Sequence, residues 1–181
     1  MKNLLPYRNT LPTIDPSAFI ASTAIISGNV KVGKNSGIWY GCVVRGDVTK
    51  IEIGENTNIQ DNCILHGTRP HHAQNKTGAE GASVTVGNGV TIGHGAIIHA
   101  CVIEDNAFIG MGSIIMDLAR VEQFGMLAAG AVLTPGKVIK SGQIWAGNPA
   151  KYFRDMTEVE KNYIKVSADN YAELAREYAG K

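Results

Sequence analysis

A mainly β fold, a parallel β-helix of about six triangular coils closed by one C-terminal α-helix, is predicted by three observations. First, nineteen positions stepping mostly by six are all large and apolar: Ile20, Ile26, Val32, Ile38, Val44, Ile53, Ile59, Leu65, Val86, Ile92, Ile98, Ile103, Ile109, Ile115, Val121, Leu127, Leu133, Ile139 and Trp145. At 44% hydrophobic composition, ~8 of nineteen arbitrary positions would be apolar. Second, the residue four places later is usually small, as at Ala24, Ser36, Cys42, Thr57, Cys63, Ala96, Ala107, Ser113, Ala119, Gly125 and Ala131. Third, the period becomes helical after Pro149.

A large and then a small inward side chain every six residues describes a short strand and a corner. Three such strands make one coil, and about six coils at ~4.8 Å each give a prism ~29 Å long. Its interior is filled by side chains, so chemistry belongs on the outside. The chain of 181 residues reads as one domain, with the β-helix over about 12–150 and the helix over about 157–178. Thr157 and Glu160 form a capping box ahead of Val159, Tyr163, Val166, Tyr171, Leu174 and Tyr178 at near-helical spacing.

The frame breaks in three places. Three residues are inserted between Val44 and Ile53, one is missing between Ile98 and Ile103, and a polar excursion loop, residues 67–82, follows Leu65. Loops beside a rigid scaffold are where function gathers.

A net charge of +1 with 18% charged residues argues against nucleic acid or a membrane surface as partner. Residues 1–10 carry no apolar run of signal-peptide length, and no stretch approaches a membrane span, so a cytoplasmic location is expected. The three cysteines, two of them in small inward slots, read as buried thiols.

Faces assigned in rotation from Ile20 place Val44, Leu65 and Ile98 on the second face, so Arg45, His66 and His99 point outward one above another. His66 and His99 then stand one strand spacing apart, close enough to share a metal. His94 lies round the corner and joins such a pair only from another molecule. The expected assembly is a homotrimer in which His66 and His99 of one chain meet His94 of the next. Three imidazoles with an open fourth position suit catalytic zinc, which lowers the pKa of a bound water to ~7. Iron(II) or cobalt(II) suits the same donors.

Arg45-Gly46-Asp47, Asn58-Ile59-Gln60-Asp61, Leu65-His66, and His94 with His99 together resemble the gamma-class carbonic anhydrases over roughly residues 12–178. The resemblance implies a left-handed β-helix and a trimer that hydrates CO2 reversibly to bicarbonate by a zinc-bound hydroxide at the subunit interface. It further implies that His66, His94 and His99 are the metal ligands. Gln60 would hold the hydroxide, with Asn58 behind it. Arg45, Asp47 and Asp61 would form a charged network beside the metal, and Tyr171 resembles an aromatic near the pocket in some relatives.

Two positions depart from the family's founding type. Val48 and Arg69 stand where it has proton-exporting glutamates, so the chain resembles the shorter subclass without the acidic loop. His71 and His72 on the excursion loop are the available substitutes, since imidazole titrates near neutrality. Two other readings stay open. Ala146-Gly147-Asn148-Pro149-Ala150-Lys151 resembles the end of hexapeptide-repeat acyltransferases, which makes acyl-CoA transfer or thioester hydrolysis one alternative. A catalytically inactive metal-binding scaffold is the other.

Overall fold

The computed structural model of the chain describes residues 3–70 and 81–180. The inward apolar positions align coil upon coil. Ile20, Ile38, Ile59, Ile92, Ile109, Leu127 and Trp145 are successive parallel register partners on the first face. Ile26, Val44, Leu65, Ile98, Ile115 and Leu133 stack on the second. Val32, Ile53, Val86, Ile103, Val121 and Ile139 stack on the third. The solenoid has about seven turns, one more than the sequence count. The extra turn comes from Ile14, paired with Val32, and Leu4, paired with Ile26. Ile14 lies six residues before Ile20, whereas Leu4 is out of frame.

The small residues occupy the corners, where Ala24, Ser36, Cys42, Cys63, Ala96, Ala107 and Ser113 are fully buried. Buried hydroxyls there find backbone acceptors: Ser36 Oγ donates to Gly54 O at 2.7 Å and Thr57 Oγ1 to Gly87 O at 2.8 Å. Asn35, Asn56, Asn62 and Asn106 sit at corners with φ of 54°, 50°, 61° and 57°. Asparagine tolerates this left-handed conformation better than most side chains. Cys42, Cys63 and Cys101 are free and buried.

The insertion after Val44 is absorbed without breaking the strand. Val43–Ile53 runs continuously from the second face to the third beside Ile25–Val32, with a register shift between Gly28 and Val30. The excursion is pinched at its base, where Thr68 and Ala82 exchange backbone hydrogen bonds of 2.8 and 3.1 Å. His71 and His72 lie outside the described residues.

Past the last coil, Lys151–Asp155 folds back antiparallel on Gln143–Ala146. The helix Glu158–Tyr178 then starts on the Thr157–Glu160 capping box and lies along the first face. Its buried side is Ile164, Ser167, Ala168, Ala172 and Ala175. The large apolar residues that marked it in the sequence are mostly outward: Val159, Tyr163, Val166, Leu174 and Tyr178 are exposed. Small residues let the helix backbone lie close to the wall, and the tyrosines pack at its edges. Tyr171 and Tyr178 meet Trp39 edge-on at 5.6 and 5.3 Å. Among the described residues, no helix is long and apolar enough to cross a membrane.

The stacked interior carries the stability. Ile109 is fully buried, so Ile109→Ala is expected to lower unfolding free energy by about 2–5 kcal/mol. Val159 is 80% exposed, and Val159→Ala is expected to stay within about 0.5 kcal/mol of the parent. Denaturant midpoints of both variants check the pair.

Candidate metal centre

Strands Ile64–His66 and Ile97–His99 are neighbours in parallel register, with His66 opposite His99 and Arg45 opposite His66. Because Leu65 and Ile98 point inward, both imidazoles project outward, one directly above the other. His66 Nδ1 lies 3.3 Å from His99 Nε2. The other nitrogen of each ring is held by a carboxylate: His66 Nε2 by Asp47 Oδ1 at 2.9 Å, and His99 Nδ1 by Asp117 Oδ1 at 2.6 Å. Arg45 Nη1 donates to Asp47 Oδ2 at 2.5 Å, and the Thr68 hydroxyl donates to Asp117 Oδ2.

These anchors set the tautomers. A carboxylate accepts, so it selects the N–H form of the nitrogen facing it. The nitrogens left bare, His66 Nδ1 and His99 Nε2, therefore face each other. Burial holds the His66 imidazole below its ordinary pKa, which favours the neutral form able to bind a cation. Burial works to raise the Asp47 carboxyl, but hydrogen bonds from His66 and Arg45 outweigh it and hold Asp47 below the usual carboxylate range.

The pair fits a metal. Two nitrogens each ~2.05 Å from a tetrahedral ion stand ~3.3 Å apart, the separation found between these two. Without a cation or a shared proton, the two lone pairs would repel.

His94 stands apart, beyond the corner that follows strand Thr91–Ile92. Its Nδ1 pairs with Asp61 Oδ2 at 2.8 Å, and its side chain is 45% exposed. Among the described residues, no group of three or more His, Cys, Asp or Glu side chains is placed to hold a metal. The charged network expected from Arg45, Asp47 and Asp61 is thus divided within one chain. Arg45 and Asp47 belong to the His66 cluster, and Asp61 belongs to His94.

Gln60 and Asn58 also sit on the His94 side. Both are buried, and they flank the inward Ile59, Asn58 within strand Asn58–Ile59 and Gln60 just past its end. Gln60 Nε2 donates to Asn58 Oδ1 at 3.1 Å, and the His94 backbone N–H donates to Gln60 Oε1 at 3.2 Å. An apolar-walled groove of about 290 Å³ opens there, lined by Gln60, His94, Met111, Met126, Tyr163 and Tyr171 among others. Burial, with Asp61 nearby, pushes the Tyr171 phenol up.

Two features were absent from the sequence reading. Asp117 and Thr68 buttress His99, and a coil count could have found the aspartate. Ile98 pairs with Ile115, so Asp117 is only one residue beyond the position stacked on His99. The second feature is an exposed aliphatic column, Ile25, Val43, Ile64 and Ile97, in register beside the Arg45–His66–His99 column. Strict alternation would have put polar residues there. Of the two departures from the family pattern, Val48 is half-buried and Arg69 exposed.

No family model matches the chain. A mitochondrial gamma carbonic anhydrase of Arabidopsis thaliana is 42% identical over 178 residues, which are 98% of this chain and 63% of that protein. The chain therefore spans less than two thirds of that plant relative. A carbonic anhydrase of Geobacillus kaustophilus is 37% identical over 175 residues, covering 97% of this chain and 90% of the relative. A crystal structure described as a hexapeptide transferase family protein from Anaplasma phagocytophilum superposes with a TM-score of 0.89 at 51% identity, covering 98% of this chain and 99% of that one. With a stacked histidine pair on a hexapeptide-repeat β-solenoid and this similarity across nearly its whole length, the chain belongs to the gamma carbonic anhydrase family.

Proposed function

We propose that the protein is a carbonic anhydrase-type metalloenzyme that interconverts CO2 and bicarbonate, working as a homotrimer with each metal centre shared between two chains. The observation that carries this reading is the facing pair of bare nitrogens 3.3 Å apart, each ring anchored behind by its own carboxylate. His66 and His99 of one copy and His94 of the next would hold the ion. Zinc suits three imidazoles, as do iron(II) and cobalt(II). When bound, the metal supplies Lewis-acid activation of water near neutral pH.

The trimer rests on two observations. His94 is cut off from the pair by a corner, so a third imidazole must come from elsewhere. The exposed column Ile25, Val43, Ile64 and Ile97 supplies an apolar strip beside the pair for a neighbouring prism. Docking the His94 corner of one copy on this strip would bring Gln60 and Tyr171 to the same centre. Gln60 would then orient the attacking oxygen without neutralising it, the Arg45–Asp47 pair would fix His66, and the apolar groove walls would receive uncharged CO2. The buried free thiols suit a reducing compartment, and we place the protein in the cytoplasm.

A second reading is favoured by one observation. His94 and Asp61 form a dyad whose free nitrogen adjoins the groove, an arrangement able to serve as general base in acyl-CoA transfer or hydrolysis. Such chemistry would survive metal removal, whereas CO2 hydration would not.

The protein purified without a histidine tag is expected to carry about one metal per chain. Both His66→Ala and His94→Ala should lose it while light scattering still reports trimers. Mass spectrometry finding no metal in the parent would sink the carbonic anhydrase reading. Asp117→Ala is expected to weaken metal binding about 10–100-fold, measured by competition with a chromophoric chelator. In stopped-flow CO2 hydration, Gln60→Ala should lower kcat by about 10²-fold with metal content unchanged.

A further inference from the structure

The Gln60 carboxamide has a donor end and an acceptor end, and the groove beside His94 receives only one presentation of them. Turning the amide over would set Nε2 against the His94 N–H and Oε1 against Asn58 Oδ1, donor on donor and acceptor on acceptor. The presentation of Gln60 is therefore set at one end by the His94 N–H and secured at the other by what holds Asn58.

Asn58 is held from the helix side. Its Nδ2 donates to Thr91 Oγ1 at 3.0 Å and, at a longer 3.4 Å, to Val90 O. Thr91 Oγ1 in turn lies 3.3 Å from Ser167 Oγ on the C-terminal helix. The groups along this chain are buried: Thr91 is 0% exposed, Asn58 2%, Gln60 6% and Ser167 9%. Buried polar groups are satisfied by one another, so each takes the polarity its neighbour dictates.

That polarity starts from a fixed point. The His94 backbone N–H can only donate, so Gln60 turns its oxygen to it and its Nε2 to Asn58 Oδ1. Asn58 must then direct Nδ2 toward Thr91. The Thr91 hydroxyl oxygen accepts there and is held in turn by Ser167 Oγ, a contact in which either oxygen can donate. Val90 O is the weaker partner for Nδ2, at 3.4 Å against 3.0 Å to Thr91 Oγ1, while it also accepts the Asn58 backbone N–H at 2.9 Å.

We propose that Thr91 and Ser167 are positioning residues that lock the Gln60 amide through Asn58, so that docking of the C-terminal helix sets how Gln60 is presented in the groove. Ser167 and Tyr171, one helical turn apart, both line that groove with Gln60 and His94. The helix is thereby a wall of the site as well as its alignment device. The catalytic consequence rests on Gln60 being a site residue, as proposed above.

The test uses the metal-loaded protein and three variants. Thr91→Val keeps the shape and removes the hydroxyl, Thr91→Ser keeps the hydroxyl, and Ser167→Ala removes the helix end of the chain. Two readouts are taken: CO2 hydration, split into kcat and KM, and solvent exchange of the Gln60 side-chain NH2 in 15N-labelled protein, its signals identified by their loss in Gln60→Glu. Thr91→Val is expected to speed that exchange and lower kcat about tenfold each, with KM and metal content unchanged. Thr91→Ser should restore both to within about twofold, and Ser167→Ala should fall between. Unaltered Gln60 exchange in Thr91→Val overturns the proposal. If Thr91→Val does not fold, Ser167→Ala decides on the same two readouts from the helix side. A parent that hydrates no CO2, together with faster exchange in Thr91→Val, would leave the positioning intact and remove the functional reading of the site.

Discussion

Vertical register is the constraint on which the rest of this molecule depends. Each coil places one large residue of each face directly over its counterpart, and strand periodicity then decides what points out beside it. His66 and His99 face each other because Leu65 and Ile98 are buried in register one residue earlier. A slip of one residue would turn both imidazoles inward and both aliphatics outward. The spacing between register partners changes from 18 residues for Ile26 and Val44 to 21 for Val44 and Leu65 and 33 for Leu65 and Ile98, yet the stack stays continuous. The added residues contribute to the site: Asp47, which holds His66, lies in the segment inserted between Val44 and Ile53, and Thr68, which holds Asp117, lies at the base of the excursion.

On that scaffold, the three histidines share one electrostatic device. Each is met at one ring nitrogen by an aspartate: His66 by Asp47, His99 by Asp117 and His94 by Asp61. The aspartate selects a tautomer and limits ring rotation, which aims the remaining nitrogen. Asp47 and Asp117 are themselves restrained, by Arg45 and Thr68 respectively, so the aim of the pair is fixed two contacts deep. A pair of lone pairs held face to face is unfavourable for the empty protein. In the proposed site, relief of that repulsion would make cation binding stronger than two freely rotating imidazoles would give.

Much of this was legible in the sequence, and the failures have physical causes. All nineteen inward positions, the stacking of Arg45, His66 and His99, and the isolation of His94 follow from counting residues in a fixed repeat. The first coil was missed because residues 6–12 interrupt the count before Leu4. Asp117 was missed because its role depends on side-chain reach, two residues after an inward isoleucine, and the repeat records only which backbone positions are stacked. The helix was read from the spacing of its large apolar residues, but the wall buries small ones, Ala168, Ala172 and Ala175 among them. Close backbone approach favours small side chains, so a pattern of large residues marks the wrong side. The hydroxyls of Thr91 and Ser167 carried no signal at all, since the pairing joins residues 76 apart that only docking of the helix brings together.

The proposed division of the site between two chains would tie its chemistry to assembly. In that proposal, a metal held by two imidazoles of one copy and one of the next would bind the assembled form more tightly than the separate chain, and by mass action would stabilise the trimer as well as the fold. The converse also holds. The exposed strip of Ile25, Val43, Ile64 and Ile97 favours contact between prisms whether or not a metal is present, because apolar burial does not depend on the ion. In the proposed trimer, assembly would then precede metal loading and bring His94 up to a pair already aimed by its carboxylates. Ordering ligands before an ion arrives reduces the entropy lost on binding, and the anchoring of His66 and His99 by carboxylates of their own chain would serve the proposed centre in that way.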